Sequence, residues 1–70
     1  METADLDLGL QIKVARVSCR LAQRELARRA NLSPTILSNI ENNWRRPTQE
    51  EIVRICAVLG IRPEELGKGR

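Results

Sequence analysis

Apolar positions recur along this chain with the period of helices, and no stretch alternates with the period of two that marks a strand. Between residues 8 and 18 they form two rows. Leu8, Ile12, Ala15 and Cys19 share one angle, and Leu10, Val14 and Val17 share another. One row must face a core. The other also needs cover, which either the segment 61–66 or a second protein chain can supply. A second helix is predicted over residues 23–30, with Leu26, Ala27 and Ala30 inward and Arg24, Arg28 and Arg29 outward. Asn31 then breaks it, because Asn tolerates the left-handed backbone that a tight interhelical turn requires.

The third helix is predicted over residues 33–42. Ser33 suits the N-cap and Pro34 the first helical position, where no intrahelical donor is lost. At 100° per residue Ile36, Leu37 and Ile40 fall on one side, and Pro34, Thr35, Ser38, Asn39 and Asn42 on the other. The outward side is small, polar and uncharged. Such side chains can exchange hydrogen bonds with base edges in a groove, where Lys or Arg would mainly find phosphates. Asn42 and Asn43 both suit a left-handed ending for this helix. Pro47 and the capping box from Thr48 to Glu51 then announce a fourth helix, since hydroxyl and carboxylate can each satisfy an orphan amide. Its stripe of Ile52, Ile55, Cys56 and Leu59 runs to Gly60, and residues 63–66 can add one further turn. The expected architecture is all-α, a compact bundle of five short helices containing a helix-turn-helix. Residues 1–7 are expected to be a flexible arm, 8–66 the domain and 67–70 a flexible tail.

Seventy residues make one domain. A chain this short hides only about 60% of the surface its unfolded form exposes, so the core must be small. Trp44 is the only aromatic residue, which leaves Leu, Ile, Val and Ala to build that core. Trp44 itself, placed just after a helix end, is expected to cover a gap in the core, with a DNA or dimer contact as the alternative. Cys19 and Cys56 are accompanied by no histidine, which removes the usual zinc spacings; both are expected as reduced core residues, with a disulfide or thiol switch as the alternative. No cofactor or metal is expected. No apolar run approaches the roughly 18 residues of a membrane span, and the amino terminus is acidic where a secretion signal is basic, so a cytoplasmic location is expected.

Charge sharpens the picture through its distribution. The net charge is +3, yet residues 10–47 hold eight basic residues against two acidic ones, a local net of +6. Positive potential therefore accompanies the paired helices, as attraction to a polyanion requires. Glu41 has neither a His nor a second acid near it in the motif, so catalysis by general acid and base is not expected, and the chain reads as a non-enzyme.

The ordered set Gln23, Leu26, Ala27, Asn31, Leu32, Ser33, Ile40, Glu41, Arg46 and Pro47 resembles the Cro and lambda-repressor type, or XRE-type, helix-turn-helix family. The resemblance extends from about Leu8 through Leu66. It implies a duplex-DNA-binding transcriptional regulator, a repressor, with helix 3 in the major groove and Thr35, Ser38 and Asn39 as base readers. Pro34 departs from the family's usual polar residue and is left to pack on a thymine methyl. Gln23 is implied to touch a phosphate, Arg45 and Arg46 to approach the backbone or minor groove, and Arg24 and Asn42 to join them on the DNA backbone. Arg16 and Glu41 resemble the family's internal ion pair. Ala22 replaces the usual Ser or Thr cap of helix 2, a loss of ~1 kcal/mol, and Asn31 and Asn43 stand where Gly is frequent. Two-fold pairing into a homodimer is expected, because one such domain makes few base contacts. The alternative is an antitoxin or other protein-interaction module on the same fold, with a partner such as a toxin.

Overall fold

A computed structural model of the chain describes the backbone of residues 3–66 and the side chains of residues 8–66. Among the described residues it contains four α-helices, α1 (Thr3–Ser18), α2 (Gln23–Arg29), α3 (Pro34–Glu41) and α4 (Gln49–Leu59), and no strand. The expected fifth helix is a single 3-10 turn, Pro63–Glu65, too short to close an α-helical hydrogen-bond ladder. None of these helices is long and apolar enough to cross a membrane.

α1 begins at Thr3 and not at Leu8. The start at Leu8 rested on the first apolar period, but a nucleated helix extends at one hydrogen bond per residue fixed, with no apolar face required. The arm expected at residues 1–7 is thus helical in its backbone from Thr3 onward. Its first two residues, like the tail expected at 67–70, lie outside the described residues.

The remaining ends follow local chemistry. Ser33 Oγ accepts from the Ile36 amide at 3.1 Å with Pro34 in the first turn. Thr48 and Glu51 complete both arms of the capping box, at 3.1 Å from the Glu51 amide and 2.9 Å from the Thr48 amide. Ala22 places no side-chain cap on α2. Asn31 (φ 60°), Asn43 (φ 62°) and Gly60 (φ 75°) take left-handed backbone after α2, α3 and α4, and Arg20 (φ 60°) does so after α1 with no residue preference to announce it. Asn42, also expected to be left-handed, stays at φ −89°, since one reversal at Asn43 is enough to turn the chain.

α3 packs on α1 and α2, α2 packs on α4, and the 3-10 turn lies against α4. Ile12, Leu26, Ala27, Ala30, Leu37, Ile40, Ile55 and Leu59 form the core, with Cys56 fully buried beside them. Each buried Leu or Ile contributes about 1.5–3 kcal/mol of transfer free energy. The choice between the two rows of α1 is now decided. Ile12 enters the core, flanked by half-buried Leu8 and Ala15, while Leu10, Val14 and Val17 remain more than half exposed. Ile61 and Leu66 reach the edge of that second row and form a groove with Leu10, Val14 and Ala15 without covering it. Cys19 does not join the core as expected. It lies beyond the last turn of α1, exposed, with its thiol 3.7 Å from the Leu59 carbonyl.

α1 meets the end of α3 at very close range. A β-carbon at Gly9 would collide with the Ile40 and Glu41 carbonyls and with Asn43 Oδ1, so only glycine allows this approach. The same Asn43 Oδ1 accepts a hydrogen bond from the Gly9 amide at 3.1 Å.

Candidate nucleic-acid interface

α3 owes its placement to its inner face. Leu37 and Ile40 are buried in the core, and Glu41 at its last position has a side chain only 2% exposed. The Glu41 carboxylate accepts from Arg16 Nε at 2.8 Å, from Arg16 Nη2 at 3.1 Å and from Gln23 Nε2 at 3.0 Å. Arg16 also donates through Nη1 to the Leu21 carbonyl at 2.8 Å. One carboxylate thereby joins α1, the start of α2 and the end of α3. Among the described residues no buried side-chain nitrogen or oxygen lacks a partner.

The outer face consists of Pro34, Thr35 and Asn42, all exposed, with Ser38 and Asn39 half-buried between them. None is charged. Asn42 Nδ2 makes a long contact of 3.5 Å to Ser38 Oγ, weak enough to exchange for a better acceptor. A major groove about 12 Å wide admits a helix of this girth, and side chains of this size then reach base edges.

Several of the cations expected around this face are held by carboxylates of the protein. Arg45 is turned toward α4, where Nη1 and Nη2 donate to the two oxygens of Glu51 at 2.9 and 3.0 Å. That pairing holds the Glu51 carboxyl below its ordinary range, chiefly through the Arg45 hydrogen bonds and also through the Thr48 amide, against the opposing effect of burial. It raises Arg45 in turn. Gln23 likewise points its amide inward to Glu41 and not outward to solvent. Arg28 and Arg29 both close on Glu25, whose carboxyl is lowered by those hydrogen bonds. Arg24 is exposed beside Ala22, Glu25 and Arg28, and Arg46 is exposed in the loop after α3.

Trp44 departs most from expectation. Where the sequence favoured core cover, the side chain is 78% exposed. The left-handed Asn43 reverses the chain, and the Trp44 amide then bonds back to the Asn39 carbonyl at 2.9 Å, which turns the indole away from the core. Neither this nor the Arg45–Glu51 pair carries a periodic signal, because both depend on how separate elements meet. Among the described residues no group of metal-ligating side chains comes together.

A helix-turn-helix family model matches residues 12–66. Multiprotein-bridging factor 1 of Candida albicans is 27% identical over 62 residues, which cover 89% of this chain and 41% of that protein. The chain thus spans about two fifths of that relative's length. A crystal structure of the clp gene regulator ClgR from Corynebacterium glutamicum superposes with a TM-score of 0.85 at 25% identity, covering 90% of this chain and 67% of that one. With the match running from the core residue of α1 through the final turn, the chain belongs to the XRE-type helix-turn-helix family.

Proposed function

We propose that this chain is a DNA-binding transcriptional regulator that reads duplex DNA sequence-specifically, with α3 in the major groove. The observation that carries the reading is the uncharged outer face of α3, with Thr35, Ser38 and Asn39 beside Pro34 and Asn42, on a helix locked from behind by the core and Glu41. Asn39 is the leading base reader, because a carboxamide can bond bidentately to adenine. Arg24, Asn42 and Arg46 contact the backbone. Gln23 and Arg45 join them only by leaving the carboxylates they now hold. The likeness to the regulator ClgR supports the same reading. Repression is the proposed direction, since a helix lodged in the major groove acts most simply by occupying a site that transcription needs. Two copies, with recognition helices ~34 Å apart, would read successive major grooves, and the uncovered row of Leu10, Val14 and Val17 supports such pairing. That same row, with its groove of about 470 Å³, favours a second reading as a protein-interaction module such as an antitoxin.

Selection from a random duplex pool at near-physiological salt tests the proposal. The expected result is enrichment of inverted half-sites about one helical turn apart. Asn39→Ala is expected to lose preference at one base pair of each half-site, by about 1–3 kcal/mol, without loss of fold. An unchanged base preference in that variant sinks its assigned role, and a pool from which nothing is retained transfers the reading to a protein partner.

A further inference from the structure

We infer that Trp44 is a sequence-independent DNA contact, its indole packing on a deoxyribose of the strand that borders the groove entered by α3. The inference rests on the DNA-reading function proposed above. An indole that is 78% exposed in a chain without any other aromatic residue leaves the largest apolar side chain in water. This exposure is built into the loop. The Trp44 amide is held by the Asn39 carbonyl at 2.9 Å and the Arg45 amide by the same oxygen at 3.3 Å. Asn43 before it is tied to Gly9 at 3.1 Å, and the Arg45 side chain after it is held by both oxygens of Glu51. A loop anchored on both sides of the indole holds the Trp44 backbone in place and leaves only the side-chain torsions to move.

Its place decides the partner. The Trp44 amide is hydrogen-bonded to the Asn39 carbonyl, so the residue is anchored to the helix that carries the face assigned to base reading. Its sequence neighbours are Asn43, Arg45 and Arg46, and it is not among the side chains lining the apolar groove of α1, where a protein partner would seat. A ring with an apolar face and one N–H donor matches the C–H edge of a sugar and the adjoining phosphate oxygen. Every nucleotide offers both groups, so this contact adds affinity and orientation without adding sequence preference.

The test uses the full chain and two fluorescein-labelled duplexes, one carrying the selected site and one scrambled. Anisotropy of the label reports binding, and emission of the only tryptophan reports its surroundings. Duplex is expected to quench and blue-shift Trp44, and Trp44→Ala is expected to weaken both duplexes about equally, by roughly tenfold, with the ratio between them preserved. Trp44→Phe should keep most of the affinity, and circular dichroism should show unchanged helix content in both variants. A rise in anisotropy without any change in Trp44 emission overturns the inference while leaving DNA binding intact, as does a Trp44→Ala chain that binds like the parent. Emission that follows protein concentration and ignores duplex assigns the indole to self-association and also overturns it. If the parent raises the anisotropy of neither duplex, the DNA-reading function fails and this contact with it.

Discussion

Among the described residues, the Glu41 carboxylate is the point where α1, α2 and α3 are joined by charge as well as by packing. Its side chain is 2% exposed and that of Arg16 is 11% exposed, so neither is well solvated once its partner is removed. Breaking a buried pair from one side generally costs about 3–5 kcal/mol, because an uncompensated charge is left behind. Glu41→Ala is therefore expected to lower the free energy of unfolding by about 3 kcal/mol, and Arg16→Met with Glu41→Met together by clearly less. Urea unfolding of the three proteins measures both, and a single variant no worse than the double one would show that the pair is not the linchpin argued here. The Arg16–Glu41 spacing was legible through the family resemblance, but the Gln23 amide that shares the carboxylate was not: its place at the head of α2 suggested an outward phosphate contact. Trp44 was misread for a related reason. Its direction is set by the backbone reversal at Asn43, and residue type after a helix end gives no angle.

At the scale of the element, helix ends divide by whether their chemistry lies within four residues. The Ser33 cap, the Thr48–Glu51 box and the left-handed Asn31 and Gly60 all do, and all were readable from the chain alone. The start of α1 and the Arg45–Glu51 pair were not, since propagation and inter-element contact leave no local mark. α2, with seven residues and an uncapped start, is the weakest helix by this criterion. Ala22 has extended backbone there, so Ala22→Ser can supply the missing acceptor without rearrangement and should raise stability by about 1 kcal/mol. An unchanged unfolding midpoint would mean that the α2 amides already have solvent partners as good as a hydroxyl. α4 shows the opposite case. Folding lowers the Glu51 carboxyl below its ordinary 4.5, so the unfolded chain binds the proton more readily and stability rises with pH across that range. The contribution is complete above 4.5 and is lost as pH falls through the lowered folded value. The stability gap between the parent and Glu51→Gln should therefore shrink on acidification from neutrality to about pH 3. A gap constant over that interval would remove the charge of Glu51 from the account.

At the scale of the molecule, two surfaces stand out among the described residues, one basic and one apolar, and they call for different binding partners. The basic segment is less free than its count of +6 suggests, because Glu51 neutralises Arg45 from outside that stretch, while Glu25 and Glu41, already counted within it, hold Arg28, Arg29 and Arg16. Its affinity for DNA should accordingly fall less steeply with salt than eight phosphate contacts would require. The apolar surface is the row Leu10, Val14 and Val17, exposed at 53%, 56% and 57%, bordered by Ile61 and Leu66. A single reading face has few base contacts to offer, and a self-complementary patch that pairs two such faces multiplies them, since each half-site then lends its binding energy to the other. Val14 lies at the middle of the row and outside the core, so Val14→Glu places a charge where two copies would meet without disturbing Ile12 behind it. Sedimentation equilibrium should show the parent as a dimer at concentrations where Val14→Glu is a monomer of unchanged helix content. On duplex DNA the variant should bind a single half-site as the parent does, yet lose at least about tenfold on the inverted pair. Identical masses for parent and variant would locate self-association elsewhere or remove it, and a variant that keeps full affinity for the inverted pair would free this row from DNA reading altogether and leave it to another protein.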